Sequence, residues 1–166
     1  QQDIYYDNLG SGQFEALAVH SSAQPGATNA VACGDLNGDG YLDLCLVQEN
    51  DPDYVLINEF NTGNHWLQIK LVGTQSNRFG IGVELRLTAA DLTQVLLVSC
   101  GTGLLSQNAP WALFGLGQAT SLDILVIQWP SGIVQVLNEI SIDRILTVVE
   151  MAGSTPVEET SQLPRK

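Results

Sequence analysis

The sequence predicts an all-β fold, and three observations carry that expectation. Short runs rich in Val, Ile, Leu and aromatic residues recur roughly every eight to twelve residues, separated by clusters of Gly, Asn, Asp or Pro. Helical periodicity is nearly absent. Two runs, 66–71 and 83–87, alternate apolar with polar side chains, so each is expected on a sheet with one face in water.

The chain has 166 residues, the length of one ordinary domain or two small ones, and two small modules are expected. Eighteen Asp and Glu stand against six Lys and Arg, a formal net charge of −12. Such a field repels a duplex phosphate backbone or an anionic membrane surface, which argues against nucleic acid as a partner and makes cations the natural small ones. No apolar run approaches the roughly 18 residues that a spanning helix needs. The sequence opens at Gln1 with neither a Met nor an apolar targeting stretch, which fits a processed form and a fragment equally.

In chain order, the first strong signal is Asp35-Leu36-Asn37-Gly38-Asp39-Gly40-Tyr41-Leu42-Asp43, with oxygen-bearing side chains at positions 1, 3, 5 and 9. That spacing suits a hard cation: Ca2+ takes about six to eight oxygen ligands, and alternate side chains of a tight loop can converge on it. Asp35, Asn37, Asp39 and Asp43 are the expected side-chain ligands, and the carbonyl of Tyr41 is a fifth donor. An EF-hand begins similarly, but closes with Glu at position 12 and is flanked by helices. Here position 12 is Leu46 and the flanks, 30–33 and 44–47, are apolar and strand-like, so the loop is expected to join two antiparallel strands with Asp43 as its closing carboxylate. Three carboxylates around one site repel one another, which makes Ca2+ a structural ion in this reading. The plain alternative is a solvated turn, because Asn-Gly and Asp-Gly are ordinary hairpin dipeptides.

Cys33 and Cys45 lie one position outside Gly34 and Leu44, so a symmetrical hairpin sets them opposite one another. A disulfide and a pair of buried free thiols are both compatible with that placement. Cys33, Cys45 and Cys100 together lack the paired spacing of a zinc site.

A change of character near Asn61-Thr62-Gly63-Asn64 puts a module boundary there, dividing an acidic part, 1–60, from a longer-stranded apolar part, 61–151. In the second part the continuous apolar runs 95–98 and 124–127 are expected to be buried on both faces, and an antiparallel two-layer sandwich would house them with the alternating strands. The segment 152–166 has too little apolar content to pack and reads as a disordered tail or linker.

The stretch Ala32-Cys33-Gly34-Asp35-Leu36-Asn37-Gly38-Asp39-Gly40-Tyr41-Leu42-Asp43-Leu44 resembles the FG-GAP, or VCBS, repeat of integrin-type β-propellers, whose calcium loop joins two strands of a blade. Asn8-Leu9-Gly10-Ser11-Gly12-Gln13-Phe14 is similar to the turn that recurs between those loops. The remainder resembles the ASPIC/UnbV domain, which follows such repeats in the cartilage acidic protein group and in bacterial secreted relatives. Its matching pieces are Asn64-His65-Trp66-Leu67, Ser76-Asn77-Arg78 with Gly80-Ile81-Gly82, Gly101-Thr102-Gly103 with Leu105-Ser106-Gln107, Phe114-Gly115-Leu116-Gly117, and Trp129-Pro130-Ser131-Gly132. The resemblance implies one propeller-type blade with a calcium hairpin loop, then the sandwich, in an extracellular, cell-surface or periplasmic setting. The family usually carries a His before Phe-Gly-Leu-Gly where this chain has Leu113, so an activity resting on that His would be missing here.

No nucleophile is evident. His20 and His65 are the only histidines, and neither has a His or Cys at metal-ligand spacing. Ser106 and Ser131 lack a Gly-x-Ser-x-Gly elbow. Arg78, in a Gly-rich loop, reads first as structural and second as a clamp on a carboxylate from another segment or a partner. Trp111 and Trp129 read first as core and second as a flat apolar contact, which would serve a partner or carbohydrate if the two were exposed together. A propeller needs about four to eight blades and residues 3–60 supply about one, so other modules or subunits, by homo- or hetero-assembly, are expected to cover the blade edges. The leading expectation is a non-enzymatic, calcium-stabilised extracellular binding or structural module within a larger protein or assembly. The alternative is a carbohydrate-active or hydrolytic enzyme with an acidic pair such as Asp51 and Asp53 at the blade–sandwich junction.

Overall fold

The computed structural model describes residues 4–18, 27–59 and 62–151, and among them it contains strands and no helix. The segment 152–166 and His20 lie outside the described residues. By their contacts the residues group into two compact units, one of 1–60 with 101–109 and one of 61–100 with 110–166.

In the first unit β1 (Ile4–Gly10) and β2 (Gln13–Ala18) make an antiparallel hairpin with Asn8 opposite Phe14. Its turn places Ser11 and Gly12 at φ of 54° and 76°. β3 (Ala27–Gly34), β4 (Asp43–Glu49) and β5 (Tyr54–Leu56) form a separate antiparallel sheet in that order. The acidic loop thus does join two antiparallel strands, with Gly34 opposite Asp43 at its base. The outer edge of β3 is met by the 101–109 segment: the Asn108 Oδ1 accepts from the Cys33 amide at 2.9 Å, and the Ala109 amide donates to the Cys33 carbonyl at 3.0 Å. Both main-chain groups of Cys33 are thereby satisfied where a bare edge would leave them open.

The expected symmetry of Cys33 and Cys45 is corrected by the register. Because Gly34 pairs with Asp43, Cys33 faces Leu44 and Cys45 faces Ala32. An offset of one residue puts the two side chains on opposite faces of the sheet, and both thiols are free.

The second unit contains β6 (His65–Val72), β7 (Glu84–Ala89), β8 (Leu92–Leu97), β9 (Ala112–Gly117), β10 (Leu122–Gln128), β11 (Val134–Ile140) and β12 (Arg144–Val149). They form two sheets, β11-β10-β7-β8 and β12-β6-β9. Leu67, Ile69, Phe114 and Val148 from one sheet pack with Leu85, Leu87, Leu125 and Ile127 from the other in a single core, a two-layer sandwich. The alternation expected of 66–71 and 83–87 is present, although Gln68 on the opposite face is buried as well. One pair departs from the antiparallel expectation, because β12 runs parallel to β6. The intervening strands of the other sheet supply the long crossover that parallel pairing requires.

The run 95–98 is not buried on both faces, since Val95 and Leu97 are exposed. β8 is an edge strand with β7 as its neighbour, and one of its faces looks outward. Trp129 is core, 2% exposed, which removes it from the partner-contact candidates.

Candidate functional site

The acidic loop is organised by its own backbone amides. Asp35 Oδ1 accepts from the amides of Gly38 at 2.7 Å and Asp39 at 3.2 Å, while its Oδ2 accepts from Gly40 at 3.1 Å. Asp39 Oδ1 accepts from the Tyr41 amide at 2.9 Å and its Oδ2 from the Asn37 side-chain amide at 2.8 Å. Gly38 and Gly40 sit at φ of 80° and 87°, a region that costs glycine little and lets the chain wrap around Asp35.

Asp43 differs from its neighbours in being 1% exposed. Its Oδ2 accepts from the Leu36 amide at 2.7 Å and its Oδ1 from the Asn58 amide at 2.8 Å. A single carboxylate therefore braces the start of the loop against the segment that follows β5. The sequence marked Asp43 as a loop end, and its reach to Asn58 was not foreseen.

The donor set fits a hard cation in kind: three carboxylates, one side-chain amide oxygen and a carbonyl within nine residues. Each carboxylate oxygen has about two acceptor positions, so those that take a single amide keep one for a metal. In the conformation described, however, no group of three carboxylate, imidazole or thiol side chains converges on a common point among the described residues. Residues 35–43 hold the right atoms in the right order, turned toward their own amides.

The other candidates separate cleanly. Arg78 is exposed, and its carbonyl accepts from the Gly73 amide at 3.1 Å within the glycine-rich turn. That turn is shaped by Gly80, at φ of 68°, where a Cβ would come within 2.7 Å of the Leu71 side chain. Asn77 closes it by accepting from the Ile81 amide at 2.9 Å and donating to the Ile81 carbonyl at 2.6 Å. Trp111 is at the surface with the Lys70 ammonium 5.2 Å from its ring centroid. His65 Nδ1 lies 2.7 Å from Asp143 Oδ2, and the Trp66 amide donates to Asp143 Oδ1 at 3.1 Å. Partial burial pushes the Asp143 carboxyl up, but the His65 and Trp66 hydrogen bonds and the His65 charge outweigh it and bring it below its usual value. Asp51 and Asp53 are exposed, and Asp53 accepts from the Gln48 amide at 3.1 Å. Burial pushes the Cys33 thiol up and the neighbouring Cys45 adds to it, the reverse of what a nucleophilic cysteine needs.

Sequence reasoning missed Glu150. It is 2% exposed, and its Oε2 accepts from three consecutive amides, those of Thr74, Gln75 and Ser76, each at 2.7 Å. Its Oε1 accepts from the hydroxyls of Ser76 at 2.8 Å and Ser131 at 2.5 Å. Burial pushes this carboxyl up, but the Ser131 hydroxyl, the amide and hydroxyl of Ser76 and the Gln75 amide outweigh it and bring it down to about 2. Nothing local announces such a group, since a lone Glu ending an apolar run is an ordinary strand end.

Comparison with known families gives two matches in chain order. The family described as FG-GAP-like repeat matches residues 1–46, and the family described as ASPIC and UnbV matches residues 73–155, half of the chain. No curated protein matches it.

Proposed function

The chain belongs to the ASPIC and UnbV family and carries an FG-GAP-like repeat ahead of that domain, and from this premise we propose that it is a non-enzymatic, calcium-stabilised extracellular module that binds or supports other proteins within a larger protein or assembly. One observation carries the reading. In the first unit the only buried hydrophobic side chain among the described residues is Leu46, so beyond their backbone ladder the strands around the acidic loop have little apolar packing, and Asp43 alone ties the loop start at Leu36 to Asn58. A cation held by Asp35, Asn37, Asp39 and Asp43 with the Tyr41 carbonyl would neutralise the repulsion among these carboxylates and fix the hairpin. Sites of this kind suit compartments where calcium is abundant, which supports an extracellular, cell-surface or periplasmic setting.

The need for a neighbour follows from surface chemistry. An apolar cleft of about 710 Å³ in the first unit is lined by Ile4, Val31, Leu42, Leu44, Leu46 and Ile57, among others. An apolar cleft open to solvent suits a covering neighbour, so a further module or subunit is the partner class of this reading. Arg78 and Trp111 are exposed and stay with it as contact residues, whereas the carbohydrate reading needed both tryptophans at the surface and lapses with the burial of Trp129. The raised Cys33 thiol and the solvated Asp51 and Asp53 support the absence of catalysis.

The test is calorimetric titration of the full chain with Ca2+ alongside its melting temperature in Ca2+ and in chelator. Binding with a rise of several degrees, both lost in Asp39→Ala, is the expected result. A wild-type chain indifferent to Ca2+ would overturn the proposal.

A further inference from the structure

The three amides around Glu150 belong to consecutive residues, and all three point at one oxygen atom. Successive main-chain N–H groups of this kind form a concavity that holds anions without help from a basic side chain. The Ser76 and Ser131 hydroxyls complete it from the other side, giving five donors on one carboxylate. Each hydroxyl is itself fixed, because Ser76 Oγ accepts from the Ser131 amide at 3.2 Å and Ser131 Oγ from the Ile133 amide at 3.4 Å. The backbone of Glu150 is held separately, its amide donating to the Val72 carbonyl at 2.9 Å and its carbonyl accepting from the Thr74 hydroxyl at 3.0 Å. The concavity is therefore shaped by groups that have their own anchors, and the glutamate side chain is its occupant.

We propose that the amides of Thr74, Gln75 and Ser76 with the hydroxyls of Ser76 and Ser131 form a carboxylate-binding site that the chain fills with its own Glu150 and that accepts a small free carboxylate once this side chain is removed. The site lies where the segment after β6 meets the turn between β10 and β11, so its occupant joins the two sheets of the sandwich at one end. Its preference for carboxylate follows from the donor pattern: three converging amides on one oxygen and two hydroxyls on the other match two oxygens borne on one carbon. A neutral amide offers one oxygen to the three main-chain amides but an NH2 group in place of the second, so it forfeits the charge and one of the two acceptors.

Three full-length proteins test the proposal by thermal unfolding at neutral pH: wild type, Glu150→Ala and Glu150→Gln. Sodium formate and sodium acetate are compared with sodium chloride at equal ionic strength. Glu150→Ala is expected to melt several degrees below wild type and to recover part of that loss in formate but not in chloride. Wild type and Glu150→Gln, whose sites are sterically filled, are expected to respond to formate and chloride alike. Equal responses of Glu150→Ala to formate and chloride would overturn the proposal. If Glu150→Ala does not fold, the wild type still decides by NMR. The amide resonances of Thr74, Gln75 and Ser76 should hold their positions from pH 7 down to pH 4, since the bound carboxylate keeps its charge there. A shared titration of those three amides near the ordinary Glu value would show the site to be absent.

Discussion

The two units are both built from short β-strands, yet they reach order by different means. In the sandwich, two sheets close over one another, and this unit, strands and the turns that flank them, supplies every buried hydrophobic residue among the described ones except Leu46. In the first unit, a hairpin and a three-stranded sheet leave Ile4, Val31, Val55 and Ile57 exposed. What the first unit has instead is polar: an aspartate wrapped by loop amides, a buried Asp43 bracing Leu36 to Asn58, and Asn108 with Ala109 sealing the β3 edge. The lesson is that alternation along a strand sets which face is apolar, and only a second layer decides whether that face is buried.

Substitutions can break this comparison, and the largest effect is expected in the sandwich core. Phe114→Ala should cost about 4 kcal/mol in denaturant unfolding, by lost transfer energy and a cavity that two packed sheets cannot collapse. Val55→Ala, on the open face of the first unit, should change stability by no more than about 0.5 kcal/mol. A comparable loss at both positions would mean that the first unit's face is covered in solution.

Next in size are the two buried carboxylates. Glu150→Gln should cost about 3 kcal/mol, because five donors gathered on one buried side chain lose a charged acceptor. The pH dependence has a definite sign. The folded carboxyl is held at about 2, below its ordinary 4.5, so its contribution is fully present above pH 4.5 and is lost as pH falls toward 2. Acid unfolding of wild type should show this loss, and Glu150→Gln should lack it. Asp43→Asn should cost about 2 kcal/mol, less than Glu150→Gln, since two amides rather than five donors depend on it. The smallest effect is expected at the surface pair. His65→Ala should lower stability by no more than about 0.5 kcal/mol, and by less in high salt.

The sequence showed a good deal of this, and what it hid has a physical pattern. The strands at 66–71 and 83–87 were legible because a period of two is a local property. The loop at 35–43 and its strand flanks were legible for the same reason. The exposure of Val95 and Leu97 was not, because it depends on β8 lying at an edge, a matter of which strands become neighbours. The cysteine offset was missed by one residue of register, enough to send the two thiols to opposite faces. Trp111 and Trp129 look alike in sequence, and the fold puts one at the surface and the other in the core. Glu150 was illegible because its partners Thr74 and Ser76 lie more than seventy residues away along the chain. Asn108 was hidden likewise, reaching back to Cys33 across 75 residues.

The claim that a charged loop orders the first unit while an apolar core orders the second is tested most directly by amide hydrogen exchange on the full chain, in Ca2+ and in chelator. The expected result is that Ca2+ slows exchange at the Leu36, Gly38, Gly40 and Asn58 amides by at least tenfold, a gain of about 1.4 kcal/mol, and leaves Leu85, Leu87, Leu125 and Ile127 unchanged. Exchange at the loop amides that is the same in Ca2+ and in chelator would contradict it.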